Sequence, residues 1–381
     1  MDRIPATETL MHDCHKCVDY KWELKLPATF SGPNGPLCIL HYPDVTKDAT
    51  ECAAAVERKR QVGDFNFRGA LFCGDVLMGG QIKRASFRDA TFNGMANFNS
   101  ATFNDRADFT FVTFNGNAVF RLATFNGPAD FTSATFTKDG DFLEATFDDE
   151  ALFDELSKKR EKGKVADDKV ELDFRGAIFE KPGKIRFQDS NMSRVYFLYA
   201  DVRNVGFVNV IWPRRLLDER IVTKEKYPHV EILYRQLRQN YEDQRNYPDA
   251  WNFYYGEMQM RRKAKWWRRF LPSLETLYWL SSGYGQRPVW AFAWIVVLFM
   301  LFTWLYWLGG LQLQPPHSGS VIVVHTAGAA FLHFAEVLTF SRAGTYAPVS
   351  PGWSSVGVVQ TMVMPIQLAL FALAATRKFQ R

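Results

Sequence analysis

No aspartate, glutamate, lysine or arginine occurs from Pro288 to Ala335, and none occurs from Ala343 to Thr376. Uncharged stretches of this length favour membrane insertion over a soluble domain. Only 5 cysteines occur among 381 residues. They are too few for a disulfide scaffold, and their odd number excludes complete pairing. No apolar run follows Met1, so we expect no secretory signal peptide.

The chain also has no motif of a familiar active site. We find no Gly-rich phosphate loop and no Ser, His and Asp at a recognisable spacing, so we expect no enzyme. The net charge of +5 is too small to imply nucleic-acid binding by itself. An apolar content of 47% excludes wholesale disorder.

A phenylalanine repeat fills the middle of the chain, with 17 Phe from Phe65 to Phe153. Two sets of Phe each recur every 11 residues, and the steps between the sets alternate between 6 and 5. The sets are Phe92, Phe103, Phe114, Phe125, Phe136, Phe147 and Phe98, Phe109, Phe120, Phe131, Phe142, Phe153. Most have a small residue two positions earlier, which places both on one face of a short strand. A fixed short period predicts a solenoid, with turns at the Asn-Gly pairs between units.

This repeat resembles the pentapeptide-repeat family, although every second unit has one extra residue. The resemblance implies a right-handed quadrilateral β-helix with the Phe side chains stacked in its core. We assign it residues 65–211, because Asp173–Phe179 resumes the pattern. The charged residues 157–171 between the two parts are predicted to form an excursion loop.

The outward faces of the repeat allow more than one function. Nine acidic and three basic residues lie between Ala90 and Phe153. Some pentapeptide-repeat proteins resemble DNA and block topoisomerases, which needs a uniformly acidic face. Here the acids cluster from Asp139 to Glu150, so we favour a solvated face or a docking face for a protein partner or ligand.

Two knuckles, each a pair of metal-ligand residues separated by two others, predict a metal site near the N-terminus. Cys14 and Cys17 have the spacing C-x2-C, and Cys38 and His41 follow further along the chain with the spacing C-x2-H. Thiolate and imidazole are ligands that Zn²⁺ prefers, and four of them complete a tetrahedron. We therefore expect a structural zinc ribbon in residues 1–45. The alternatives are four reduced residues without metal, or substitution of a ligand by His12 or His15.

The next segment, residues 46–64, is predicted to be a capping helix. Asp48 can cap its N-terminus, and the helix would cover the open end of the solenoid. The other two cysteines, Cys52 and Cys73, are expected to be plain buried thiols.

Residues 212–264 are predicted to form a helical hairpin connector. Apolar residues recur with a helical period from His229 to Arg245, Asn246 and its neighbours break the pattern, and Asp249 can cap a second helix. The interfacial amphipathic segment 265–287 follows. Basic residues alternate here with tryptophan, which predicts contact with membrane lipids. These membrane-surface residues are Arg262, Lys265, Trp266, Trp267, Arg268 and Arg269.

Two spans are predicted, Val289–Leu311 and Val356–Ala375. Between them, Ala327–Phe340 is apolar but too short to span, and it contains His333 and Glu336. Basic clusters precede the first span and follow the last. Since lysine and arginine mark the cytoplasmic side, the number of crossings is even and both termini are cytoplasmic. We expect a multi-pass protein of the inner membrane, whose short segment is re-entrant.

The order of span, short helix, loop and span resembles the two-transmembrane potassium-channel pore over residues 288–381. The resemblance implies a pore helix and a filter-like turn, although Thr-Val-Gly-Tyr-Gly is absent. The implied pore residues are Glu336, Thr339, Phe340, Ser341, Arg342, Gly344, Thr345 and Tyr346. Four copies of Arg342 would favour anions; pairing of Arg342 with Glu336, or exposure to outer solvent, is the alternative. Pro365 would bend the inner helix and Gln367 would line it.

The whole layout resembles bacterial membrane-anchored pentapeptide-repeat proteins with an ion-channel-like tail. The motifs that carry this resemblance are the Phe ladder, Tyr234–Leu237 and Phe253–Met258 in the connector, and Ser282–Gly285 before the first span. It implies a homotetrameric ion channel gated by its cytoplasmic repeat domain. The alternatives are a membrane-tethered scaffold that does not conduct, and a topoisomerase-directed DNA mimic.

Overall fold

The computed structural model describes residues 13–156, 170–264, 274–313, 322–339 and 345–379, and the chain divides into two compact units, Met1–Gln244 and Arg245–Arg381. We number the α-helices of the described residues in chain order. They are α1 His15–Asp19, α2 Ala49–Gln61, α3 Asp218–Ile221, α4 Tyr227–Asp243, α5 Tyr247–Ala264, α6 Leu274–Ser282, α7 Pro288–Gly309, α8 Ala327–Leu338 and α9 Pro351–Phe379. Short 3-10 helices cover Pro182–Lys184, Met192–Arg194 and Lys224–Lys226.

The first unit is a β-solenoid of about six turns, built from four sheets of parallel strands. Sheet one contains Phe65–Asn66, Ala85–Ser86, Ala107–Asp108, Ala129–Asp130, Ala151–Asp154, Ile185–Gln188 and Gly206–Val208. Sheet two contains Leu71–Phe72, Thr91–Phe92, Thr113–Phe114 and Thr135–Phe136. Sheet three contains Val76–Leu77, Ala96–Asn97, Ala118–Val119, Gly140–Asp141, Leu172–Asp173 and Val195–Tyr196. Sheet four contains Gly80–Ile82, Ala101–Phe103, Thr124–Phe125, Thr146–Phe147 and Ile178–Phe179. The predicted solenoid is confirmed; its handedness and quadrilateral section stay predictions.

Stacked phenylalanine rings fill the solenoid. Phe103 lies 4.7 Å from Phe125, one coil away, with the rings almost parallel at 1°. Neighbouring columns meet edge to face, as do Phe120 and Phe131 at 5.4 Å and 89°. Both geometries are favourable for aromatic pairs. Ala107 pairs with Ala85 and Ala129 in register, so two repeats of the Phe pattern make one coil.

The turns do not all lie where the sequence predicts them. Left-handed backbone occurs two residues after the second set of Phe, as at Phe111 (φ 57°) and Leu122 (φ 55°). The Asn-Gly pairs form bends instead. Their glycines are needed because the coils approach closely: a Cβ on Gly116 would lie 2.2 Å from the carbonyl oxygen of Gly94. Stacking, rather than the turn conformation, therefore requires glycine here.

The front segment and α2 cover the beginning of the solenoid. The hairpin Phe30–Gly32 and Gly35–Leu37 precedes α2, whose N-terminus is capped by Asp48. Cys52 on α2 forms a disulfide with Cys73 on the first coil. Our expectation of two free thiols was therefore wrong. The sequence separation of 21 residues carried no pairing signal, but the helix places its first turn against that coil.

The other end of the solenoid is covered by α4. Asn240 on α4 donates to the carbonyl oxygen of Val202 at 2.6 Å and accepts from the backbone N–H of Asn204 at 2.7 Å. The predicted connector, residues 212–264, contains both expected helices, of which α4 lies in the first unit and α5 in the second. Helix α5 begins earlier than expected, at Tyr247, and Asn246, not Asp249, precedes it.

The second unit contains α5 to α9 and a three-stranded antiparallel sheet. Its strands are Leu311–Leu313, Ile322–Val324 and Tyr346–Pro348, with Leu311–Leu313 in the centre. Helices α7 and α9 are antiparallel. The amide of Gln367 donates to Ala291 near the start of α7, and Trp353 at the start of α9 packs on Gly309 at the end of α7. Both helices are long and apolar enough to cross a membrane.

Candidate metal centre

Two short turns bring the predicted metal ligands together. Cys14 precedes α1 and Cys17 lies on it, one helical turn away. Cys38 follows the hairpin, and the backbone N–H of His41 donates to the carbonyl oxygen of Cys38 at 3.1 Å. In each pair, the two intervening residues form a turn, so both ligand side chains point to the same place. All four side chains are buried.

The distances within the cluster fit a tetrahedral ion. Nδ1 of His41 lies 3.4 Å from the sulfurs of Cys14 and Cys38 and 3.5 Å from that of Cys17. The sulfurs of Cys17 and Cys38 are 3.7 Å apart. Zinc bonds of about 2.3 Å to sulfur and about 2.0 Å to nitrogen would require separations of about 3.8 Å and about 3.5 Å. The four atoms lie within 4.8 Å of one another, so the cluster could hold a metal ion.

The second ring nitrogen of His41 fixes the tautomer. Nε2 lies 3.1 Å from the carbonyl oxygen of Arg68 on the first coil of the solenoid. A carbonyl can only accept, so Nε2 carries the proton and Nδ1 presents its lone pair to the three sulfurs. Ligating histidines commonly donate their other N–H in this way. The same bond ties the cluster to the solenoid.

The three thiols also affect one another's pKa. Cys14 accepts hydrogen bonds from Cys17 and Cys38, which hold its pKa far below the ordinary value. Cys17 is its donor, and its pKa is raised well above the ordinary value. Burial raises the pKa of Cys38 to about 12. Three buried thiols at this distance cannot all ionise unless a cation lies among them, so metal uptake must release protons.

The shell around the cluster is closed. The ring of Trp22 packs on His41 with centroids 4.3 Å apart, and the ammonium of Lys59 lies 3.9 Å from the Trp22 ring centroid. Lys59 is itself buried in an ion pair with Asp64. A buried site with four protein ligands leaves no open position for substrate, which is typical of structural rather than catalytic metal.

The rival ligands do not join the cluster. Nδ1 of His15 lies 3.0 Å from the carbonyl oxygen of Pro36, outside the group of four. His12 lies outside the described residues.

The predicted pore residues lie in the second unit, and only part of the set is described. Glu336 accepts from the backbone N–H of Thr345 at 3.3 Å, and its carboxylate lies 3.9 Å from His333. The hydroxyl of Thr339 donates back to Ala335, and Tyr346 begins a strand. Phe340, Ser341, Arg342 and Gly344 lie outside the described residues.

The predicted gate and membrane-surface residues are placed as follows. Pro365 lies inside α9 without ending it. Gln367 is buried, and its amide donates to Ser281 and Ala291, so within the chain it fastens α9 to the start of α7. Arg262 stacks on Trp279 at 4.0 Å. Lys265, Trp266, Trp267, Arg268 and Arg269 lie outside the described residues.

Sequence reasoning placed Tyr284 in the interfacial segment and in the motif Ser282–Gly285, but it did not predict the contacts of this side chain. It is fully buried between α6 and α7, its hydroxyl lies 3.4 Å from the carbonyl oxygen of Met258 on α5, and its own carbonyl accepts from Arg377 on α9 at 3.1 Å. Gly283 and Gly285 flank it, and all three residues have left-handed backbone. The two flanking glycines were the available signal, because they permit such a turn.

The comparison with known families bears on the repeats. Residues 82–122 and 112–156 match the family described as pentapeptide repeats (9 copies). This stretch consists of pentapeptide repeats. No curated protein and no solved structure matched the chain. The matched residues therefore form central coils of the β-solenoid, and the metal cluster lies beside its first coil.

Proposed function

We propose that the protein is an inner-membrane ion channel, whose two-span pore domain is regulated by a cytoplasmic pentapeptide-repeat head tipped by structural zinc. Four copies would surround one pore. The head would bind a protein partner or ligand and shift the pore between closed and open states.

Membrane insertion is supported by the exposed surface of α7 and α9. Only 17% of the apolar window of each helix is buried within the chain, whereas the core helix of a soluble protein is mostly buried. Large apolar side chains remain exposed on these helices, such as Met300, which is 63% exposed, and Met362, which is 64% exposed. The basic residues Arg287, Arg377 and Lys378 all lie at one end of the antiparallel pair, which supports a cytoplasmic location for that end.

The observation that carries the proposal is the three-stranded sheet. One strand follows α7, one precedes α8 and one precedes α9, so the chain enters and leaves the α8 segment at the same side. Helix α8 has 12 residues and a length of about 18 Å, too short for a hydrocarbon core of about 30 Å. This geometry supports a re-entrant segment.

Glu336 supports the comparison with a pore loop. Its carboxylate accepts from the backbone N–H of Thr345, just before the strand Tyr346–Pro348, so it holds the beginning of that strand to α8. A carboxylate at membrane depth is costly unless protein or water surrounds it, which four such segments around an axis would provide. Arg342 in the turn would then set the field at the mouth and favour anions.

A route for regulation runs through Tyr284. This buried residue contacts α5, which follows the repeat head in sequence, and also receives Arg377 from the end of α9. A displacement of α5 would therefore reach the inner helix α9 directly. In this mechanism Pro365 supplies the bend, and release of the Gln367 amide from α7 accompanies opening.

A non-conducting membrane scaffold is the second candidate. The amide of Gln360 is satisfied within one chain, by Tyr306 at 2.7 Å and by the carbonyl oxygen of Phe334 at 2.9 Å. This polar side chain of α9 thus has its hydrogen-bond partners within one chain. A membrane anchor that does not conduct would need such partners as much as a channel would. The DNA-mimic alternative is less well supported, because Asp130 and Asp141 on the solenoid surface are paired with arginines.

Ion flux from proteoliposomes tests the proposal. Purified chain should conduct, and Glu336→Gln should reduce flux at least about tenfold, since the loop loses a charge-assisted hydrogen bond. Glu180→Gln, which removes one exposed acid from the solenoid, is the matched control and should leave flux unchanged. Absence of flux from correctly inserted tetramers, under every ionic condition that engages the head, would favour the scaffold.

A further inference from the structure

A cavity of about 410 Å³ opens at the basic end of the antiparallel pair α7 and α9. Arg287, at the start of α7, lines one side, and Arg377 and Lys378, at the end of α9, line the other. The rest of the lining consists of Gln286 and the apolar residues Pro288, Val289 and Trp290. Its volume is within the range of small-molecule sites.

Two of the three cations in this cavity donate to neutral acceptors. Arg287 donates to the hydroxyl of Tyr255 at 3.3 Å, and Arg377 donates to the carbonyl oxygen of Tyr284 at 3.1 Å. No carboxylate within the part of the chain that the structure describes forms a salt bridge with any of the three. These contacts orient the guanidinium groups and leave their positive charge uncompensated.

The apolar wall makes the cavity amphipathic. Val289 is 74% exposed and Trp290 is 48% exposed, next to the cations. An inorganic anion would use only the charged side. A ligand with a phosphate group and an adjoining apolar chain would use both sides.

We propose that this cavity binds the phosphate headgroup of an anionic phospholipid. The inference rests on the proposed membrane insertion, but not on conduction. The phosphate would lie among Arg287, Arg377 and Lys378, and the glycerol and first acyl carbons would pack on Trp290. Because Arg287 lies at the start of α7 and Arg377 and Lys378 lie at the end of α9, the bound lipid would join these two helix ends.

Native mass spectrometry of the delipidated full chain in detergent tests the site. Dioctanoyl phosphatidylglycerol should bind, and dioctanoyl phosphatidylcholine, which has no net charge, should bind clearly less. One charge near a lipid phosphate contributes a factor of about five in affinity, so Arg377→Gln with Lys378→Gln should weaken binding about 25-fold. Lys138→Gln, which removes an exposed charge from the solenoid, is the matched control and should bind as wild type.

A second variant and a competition experiment keep the result interpretable. The exposed Lys378→Gln alone should retain the wild-type unfolding midpoint and weaken binding about fivefold. Equal binding of the two lipids, or wild-type binding by the double variant, would overturn the proposal. Displacement of phosphatidylglycerol by equimolar inorganic phosphate would assign the cavity to free phosphate instead. Retention of the chain in carbonate-washed membranes tests insertion separately, and the flux assay tests conduction separately.

Discussion

Single polar side chains close both ends of the solenoid. A stack of parallel coils leaves unpaired backbone groups on its first and last turns, and these would be costly if buried without partners. At one end His41 donates to the carbonyl oxygen of Arg68. At the other end the carboxylate of Asp218 accepts from the backbone N–H groups of Phe197 and Leu198. Both residues lie outside the repeat itself.

Zinc content is the first prediction at this scale. Purified chain should contain about one zinc ion, and Cys38→Ser should lose it, because three ligands bind far more weakly than four. The front segment should then become sensitive to proteolysis. His15→Ala, which removes a histidine outside the cluster, is the control and should retain zinc. Elemental analysis provides the measurement, and zinc-free wild type prepared without chelator would refute the assignment.

Asp218 gives a prediction about pH. Burial raises its pKa to about 6, above an unfolded value of about 3.9. Because the folded state holds the proton more tightly, this group contributes stability fully below about pH 4 and loses it as pH rises to about 6. Relative to Asp218→Asn, wild type should lose up to about 3 kcal/mol of unfolding free energy over that range. Denaturant unfolding at pH 4, 5, 6 and 7 measures this difference, and a difference that stays constant with pH would contradict it.

The metal ligands were predictable from spacing, whereas the end contacts were not. The knuckles at Cys14 and Cys38 each define their own geometry within one short turn. Asp218 and Asn240 act on coils that lie at least 20 residues away, and a single polar residue on a helix carries no signal of such a partner. The disulfide of Cys52 was missed for the same reason.

At the scale of elements, helices and strands differ in how they are specified. Each solenoid strand is only two to four residues long and would not be stable alone, so the repeat period specifies it through its neighbours. Helix α4 has its own apolar period, and the sequence predicts both of its ends closely. What the period does not reveal is that the helix packs on the last coil of the solenoid.

Helix α4 should therefore depend on Asn240. Asn240→Ala leaves the N–H of Asn204 and the carbonyl of Val202 without their partner, which should cost roughly 1–3 kcal/mol. Gln239→Ala changes the neighbouring position of the same helix, which is more exposed, and should cost little. Denaturant unfolding of both variants provides the comparison. Equal midpoints would show that α4 is not held in this way.

At the scale of the whole molecule, a β-solenoid unit and an apolar helical unit are joined in one chain. The composition of residues 288–381 already separates the two, because charge is almost absent there. The sequence also predicts that the chain crosses the membrane an even number of times. It does not reveal that the ends of α7 and α9 form a basic cavity, since this requires Arg287 and Arg377 to meet from the two ends of that apolar stretch.

Cysteine labelling tests the topology of the second unit. Ala327 is exposed at the start of α8, and Lys378 is exposed at the end of α9. Ala327→Cys should react with an impermeant thiol reagent in intact cells, because the sheet side faces outward, and Lys378→Cys should react only after lysis. Wild type reports any background from the native cysteines. Labelling of Lys378→Cys in intact cells would refute cytoplasmic termini.

The coil register has a consequence for how this chain can change in length. Thr124 lies beside Thr146 after one ordinary coil, but Thr146 lies beside Ile178 after a longer stretch of chain. The additional residues lie between Asp154, in sheet one, and Leu172, in sheet three. In the preceding coils a strand of sheet two occupies this position in the chain. Smaller departures from the ordinary coil occur elsewhere, from 20 residues between Leu71 and Thr91 to 23 residues between Leu172 and Val195. Extra residues are therefore accommodated between strands, whereas duplication of one whole coil would keep the register of every sheet. Each duplication would lengthen the rod by about 4.8 Å and leave both closed ends unchanged.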